Sequence, residues 1–156
     1  MKREIKFRAW HKDDKAPYVN EMLEDGEARF LLSQGFDEMM PDNYVFMQFT
    51  GLKDKNGKEV YEGDVLRIEY FKIAVGENLG VYETEAELTG VVGFDGLSLI
   101  LQNIMGEKWQ EYTGYDAGEG NCKFMYLGDV YEGSLDASYQ IEVIGNIYEN
   151  PELIKQ

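Results

Sequence analysis

The sequence predicts a mainly β chain, an antiparallel small barrel or strongly bent sheet, SH3-like in part, with one or two short helices. Three observations point there. Asn56-Gly57 lies between two β-forming runs and is a preferred pair for a two-residue hairpin turn, where both positions take positive φ. Apolar and polar residues alternate with period two along Ile5–Trp10 and again along Val81–Leu88. Turn signals then recur at short intervals to the end of the chain, which favours antiparallel strands over alternating strands and helices.

Taken in order, Ile5, Phe7 and Ala9 alternate with Lys6, Arg8 and Trp10, so the first strand is expected to bury the former set. Asp13-Asp14-Lys15-Ala16-Pro17 ends it, because Pro17 has no N–H to give to a ladder. Good helix formers over Glu27–Gln34, stopped by Gly35, predict a short helix. Met39-Met40-Pro41-Asp42 reads as a connector into a strand over Tyr44–Phe49. Beyond the Asn56-Gly57 turn, Val60-Tyr61 starts a short strand, Glu62-Gly63-Asp64 makes a corner, and Val65–Phe71 continues as a longer strand rich in β-formers.

Along Val81–Leu88, Tyr82, Thr84, Ala86 and Leu88 share one face, and Glu83, Glu85 and Glu87 share a wet one. Gly90–Phe94 continues or returns, and Asp95-Gly96 signals another hairpin before Leu97–Leu101. Trp109–Thr113, Lys123–Leu127 and Tyr139–Tyr148 supply further strands, with a glycine-rich acidic loop over Gly114–Asn121. Asn150 and Pro151 suit the cap and first position of a closing helical turn over residues 151–154. The strings Val60-Tyr61-Glu62-Gly63 and Val130-Tyr131-Glu132-Gly133 echo one another as matching corners, though two short copies fall well short of a repeat.

A chain of 156 residues suits one domain over 1–156, and its 11 Tyr, 8 Phe and 2 Trp supply a core. The single cysteine, Cys122, excludes an internal disulfide and fits a reducing cytoplasm. No apolar core follows the basic N-terminal residues and no stretch could span a bilayer, so a soluble cytoplasmic protein is expected, with no membrane partner. Net charge is −15, and residues 81–150 have only Lys108 and Lys123 to set against their acids. Such a field repels nucleic-acid phosphate and suits solubility; a sharper reading makes the acidic half a mimic of nucleic acid toward a basic host protein.

Candidate chemistry is thin. His11 stands alone, and neither Cys122 nor Ser33, Ser98, Ser134 or Ser138 lies in a nucleophile elbow, so no catalytic residue is assigned. One Cys and one His cannot make a zinc site. Asp54-Lys55-Asn56-Gly57 resembles the start of a calcium loop, but its glycine comes too early and Val65 stands where the final carboxylate belongs. Asp13, Asp14, Lys15, Glu4, Lys6 and Asp42 are residue types a two-metal nuclease uses, scattered as any highly charged chain scatters them. Gly114, Gly118 and Gly120 lack the lysine of a phosphate loop and are flanked by Asp116 and Glu119. For nucleic acid, the one platform is the first strand, where Lys6, Arg8 and Trp10 share a face. No metal and no cofactor are expected.

Three blocks, Arg3-Glu4-Ile5-Lys6-Phe7-Arg8-Ala9-Trp10, Gln48–Leu66 and Glu142-Val143-Ile144-Gly145-Asn146-Ile147-Tyr148-Glu149-Asn150-Pro151-Glu152-Leu153, together closely resemble the YopX-like proteins of bacteriophages and prophages. The resemblance implies a β-rich phage or prophage protein without a recognised cofactor or catalytic set, and it carries over no activity. The expected function is therefore a non-enzymatic accessory or interaction module with a phage or host protein as partner. Exposed strand edges and abundant Tyr and Phe also suit a homo-oligomer. A nucleic-acid-associated protein using the first strand is the alternative, and a carboxylate-metal enzyme the third reading.

Overall fold

The computed structural model describes residues 4–12, 21–33, 43–75, 81–106, 124–127 and 137–154, with side chains outside 72–86, 124, 137 and 138. Its elements are β1 (Phe7–His11), β2 (Glu21–Leu23), α1 (Asp25–Ser33), β3 (Tyr44–Lys53), β4 (Glu59–Tyr61), β5 (Asp64–Val75), β6 (Val81–Asp95), β7 (Ser98–Met105), β8 (Phe124–Tyr126), β9 (Ala137–Asn146) and a closing 3-10 turn, Pro151–Ile154. They form two antiparallel sheets, ordered β2-β1-β3-β4 and β8-β7-β6-β5-β9. One sheet curls into a half-barrel, so the mainly β, antiparallel expectation holds in the form of two sheets.

The five-stranded sheet is built around β5, whose register against β6 sets Leu66 beside Gly90 and Ile68 beside Leu88. On its other side β5 sets the same two residues beside Val143 and Ile141 of β9. Because side chains alternate between faces, this register gathers Leu66, Ile68, Leu88, Val92, Leu101, Met125, Ile141 and Val143 into one cluster, joined by Val60 and Leu127. Full burial of each such aliphatic side chain stabilises the fold by roughly 1.5–3 kcal/mol. Arg67, Glu69 and Glu142 take the opposite face, where Arg67 Nη2 pairs with Glu142 at 2.6 Å and Lys55 Nζ reaches Glu142 at 3.2 Å.

Turns and bulges are where backbone demands are sharpest. Asp95 and Ser98 pair across a two-residue turn in which Gly96 takes φ +60° at the first central position, the type II′ pattern, and Leu97 projects fully into solvent. Between β6 and β7 the register slips, so that Asn103 and Ile104 together oppose Gly90, with Asn103 at φ +52°. β3 bulges more strongly between Phe49 and Lys53, where Gly51 has φ +89° and the Thr50 hydroxyl donates to Val60 O at 2.7 Å.

Three sequence expectations change in detail, and the alternative left open for Gly90–Phe94 is decided as a continuing strand. The Asn56-Gly57 hairpin forms, but its loop has three residues, Lys55–Gly57: Gly57 N–H donates to Asp54 O at 2.9 Å and Asp54 N–H to Lys58 O at 2.8 Å. Gly57 alone takes positive φ (+81°), which is a type I turn closed by a left-handed glycine. The Asp54 carboxylate selects this form by accepting the Asn56 and Lys58 N–H groups at 2.8 and 2.9 Å. The stretch expected to hold only a helix also carries β2, which pairs Met22 with Trp10 ahead of α1. Val81–Asp95 is one continuous strand. Finally, the faces of β1 are reassigned: Arg8 and Trp10 are buried with Ala9, Phe7 is half-buried and Ile5 is exposed.

Helix α1 is short and amphipathic only weakly, with Ala28 its one buried residue. Asp25 and Glu27 lie in its first turn, Arg29 pairs with Asp25 at 2.8 Å, and Asp25 Oδ1 accepts the Phe7 N–H at 3.0 Å. That last bond fastens the helix N-terminus to β1. At the other end of the chain Asn150 O accepts the Leu153 N–H at 3.1 Å, while its side chain reaches back to Asn146 N–H at 3.4 Å. The strand expected over Trp109–Thr113, the acidic loop over 114–121, Cys122, Ser134, the 128–133 echo, Asp13-Asp14-Lys15, Pro17 and Met39–Asp42 lie outside the described residues.

Candidate functional site

A cluster of buried polar side chains, Arg8, Asp64 and Asn146, sits where the two sheets meet. β4 ends at Tyr61, the chain turns through Glu62-Gly63, and β5 begins at Asp64 in the other sheet. Gly63 makes this corner with φ +79°, its N–H donating to Val92 O at 2.9 Å and its carbonyl accepting the Ile147 N–H at 3.0 Å. A side chain would have to take that left-handed backbone and enter contact with Asn146 and Tyr148, which explains the glycine.

Asp64, fully buried, is the centre. Its Oδ1 accepts Arg8 Nη2 at 2.5 Å and Asn146 Nδ2 at 3.2 Å, and its Oδ2 accepts the Tyr61 N–H at 2.8 Å. Asn146 Oδ1 accepts the Tyr148 N–H at 3.0 Å, and its Nδ2 lies 3.6 Å from Met47 Sδ. The Arg8 guanidinium also rests 4.2 Å from the centre of the Tyr61 ring. Around this node pack Trp10, Met47, Phe49 and Tyr61, with Trp10 stacked on Tyr148 at 6.2 Å and 21°. Such a low-dielectric wall strengthens each bond it encloses and raises the cost of leaving one unmade.

Outside the node lies a second layer. Lys6 Nζ pairs with Glu59 Oε1 at 2.5 Å and with Glu4 at 3.4 Å, and the Tyr61 hydroxyl donates to Glu59 Oε2 at 2.9 Å. The Lys6 bond holds the Glu59 carboxyl below its usual range despite partial burial, and Glu59 in turn raises Lys6. Burial, reinforced by the Glu59 hydrogen bond, pushes the Tyr61 phenol upward. All three groups thus keep their ordinary charge at neutral pH.

Asp54 forms a third arrangement. Beyond the two turn N–H groups, its Oδ2 accepts the Val143 N–H at 3.1 Å, and Lys55 N–H donates to Ile141 O at 2.8 Å. Burial alone would raise this carboxyl, but the Val143, Lys58 and Asn56 N–H bonds outweigh it and hold it low.

Sequence-nominated residues are dispersed among these roles. Arg8 and Trp10 face inward, at 8% and 9% exposure, and of the three platform residues only Lys6 reaches the surface in part. His11 stacks on Tyr44 at 4.6 Å between centroids, and the Ser33 hydroxyl donates to Phe30 O at 2.7 Å. Ser98 lies on the surface beside Leu97, paired with Asp95 across the β6–β7 turn. Among the described residues no group of three or more His, Cys, Asp or Glu is arranged to hold a metal ion, and no helix is long and apolar enough to cross a membrane. Sequence reasoning missed Tyr61, Asp64 and Asn146. A signal for them existed, since the three quoted blocks contain Arg8, Tyr61, Asp64, Asn146 and Tyr148, and they meet here.

Comparison with known proteins gives three findings. The crystal structure of protein EF1440 from Enterococcus faecalis is similar at 24% identity, covering 99% of this chain and 100% of that one, with a TM-score of 0.38. No curated protein matches. The model of the YopX protein family matches residues 6–136, most of the sequence and all of the elements from β1 to β8, and the chain therefore belongs to the YopX family.

Proposed function

We propose that this protein is a non-enzymatic interaction module of phage or prophage origin, folded as one domain over residues 1–156 and acting on a protein partner in the host cytoplasm. One observation carries the reading: the polar side chains best placed for chemistry are spent on fastening one sheet to the other, while large apolar side chains face solvent. Arg8 and Asn146 are buried and both bonded to the buried Asp64, whereas Phe30 on α1 is 63% exposed and Leu97 at the β6–β7 turn is fully exposed. Exposed apolar side chains such as these offer contact surface to a partner, aromatic ones above all. The phage setting rests on the resemblance of the three sequence blocks, and the acidic surface of a chain with net charge −15 suits a basic partner.

The nucleic-acid reading loses most of its platform with the burial of Arg8 and Trp10, and no described cluster favours a carboxylate-metal enzyme. Crosslinking followed by affinity capture from lysogenic host cells tests the proposal, using the unsubstituted protein beside a Phe30→Glu/Leu97→Glu variant of unchanged circular dichroism. A stoichiometric protein partner lost with the variant is expected. Capture of nucleic acid alone, or a partner held equally by both, would count against it.

A further inference from the structure

Among the described residues β9 is the last strand of its sheet, so one row of its backbone groups has no described strand to pair with. At its centre that row is already occupied. Lys55 N–H donates to Ile141 O at 2.8 Å, and Asp54 Oδ2 accepts the Val143 N–H at 3.1 Å. The acceptor of residue 141 and the donor of residue 143, which flank Glu142, are the pair that one residue of a neighbouring parallel strand would engage. The β3–β4 turn supplies the same donor and acceptor from a backbone N–H and a side-chain carboxylate. Lys55 Nζ then closes over Glu142 itself at 3.2 Å.

From this geometry we infer that the Lys55–Gly57 turn is a plug on the open edge of β9, which keeps a second copy of this chain from adding a strand there. The turn imitates one residue of a strand and then stops, since its own chain reverses at Gly57, φ +81°, and offers no further groups for the ladder to grow on. An edge filled in this way satisfies its own N–H and C=O without becoming a template. The device is independent of the Phe30 and Leu97 contacts proposed above, because it concerns backbone groups of the β3–β4 turn and β9 and not α1 or the β6–β7 turn.

Type I geometry makes a clean test available. Lys55 occupies the second position of the turn, which accepts proline, so Lys55→Pro deletes the N–H bonded to Ile141 while preserving the turn. Lys55→Ala removes the side chain that pairs with Glu142 and Glu69 but keeps the backbone N–H, and serves as the control. The unsubstituted protein and both variants are compared by light scattering over a range of concentrations. Lys55→Pro forming a heavier species at concentrations where Lys55→Ala matches the unsubstituted protein is the expected result. Equal masses for the two variants throughout, or association by Lys55→Ala alone, would overturn the inference. Amide exchange in the unsubstituted protein gives a second reading that needs no variant. Val143 is expected to exchange about tenfold or more slowly than an edge amide bonded only to water, in line with a hydrogen bond to a carboxylate; exchange at the solvent-bonded rate would refute the plug.

Discussion

Arg8 Nη2 and Asp64 Oδ1 lie 2.5 Å apart with both side chains almost wholly buried, and this single contact links β1 of one sheet to the first residue of β5 in the other. The pair does not stand alone, because Asp64 also receives the Tyr61 N–H and the Asn146 amide. Removing either member strands the other in a site closed to water.

Arg8→Met and Asp64→Leu are each expected to destabilise the protein by about 3–5 kcal/mol, the cost of an unpaired buried charge. The double variant should fall well short of the sum, since it strands no charge, although the Tyr61 and Asn146 donors lose an acceptor. Urea unfolding of the four proteins measures the coupling directly, and strictly additive losses would contradict a direct pair.

Gly90 of β6 lies beneath Leu101 so closely that an added Cβ would sit 2.5 Å from Leu101 Cγ. Gly90→Ala should therefore cost about 1–3 kcal/mol by overpacking. Combined with Leu101→Val, which makes room at the same spot, part of that loss should return. Thermal unfolding of the two single variants and the double checks for this non-additivity.

Asn103 takes φ +52° where β7 bulges against Gly90. Asn103→Gly should be close to neutral, while Asn103→Val should cost about 1–2 kcal/mol because a β-branched side chain crowds the backbone in the left-handed region. Denaturation midpoints read the difference, and equal stability for the two variants would rule out strain at this position.

Stability should also fall in acid through Asp54. Its carboxyl is held low in the folded chain, so its contribution is complete above the unfolded value of about 3.9 and is lost as pH falls through the lower folded one. Glu59, lowered by its bond to Lys6, acts in the same direction. Asp54→Asn is expected to be less stable at pH 7 and to lose less on going from pH 5 to pH 2. Unfolding midpoints across that range decide it, and parallel acid limbs for the two proteins would show that Asp54 does not contribute.

The legible part of this fold was the part written in local chemistry. Asn56-Gly57, Asp95-Gly96 and Pro151 each state a backbone requirement within two or three residues, and a turn appears at each. Runs rich in β-formers located β5 and β9, whose hydrophobic residues on one face meet a single core. Strict alternation misassigned the faces of β1, where the buried residues include a cation. Arg8 reads as exposed until Asp64, 56 residues away, is brought against it. Likewise Asp54 reads as a turn residue, and its bond to Val143 spans 89 positions that no local pattern encodes. The joint was thus hidden because its logic is charge compensation at long range, although every one of its polar members stood in a block already singled out for resemblance to a family.

Trp10 lies against Tyr148 at the rim of that joint, with the rings stacked at 6.2 Å. An indole wedged there is a built-in optical gauge of whether the C-terminal end stays docked on β1. In a Trp109→Phe background its emission would redden as the two sheets part, registering that separation apart from the melting of either sheet.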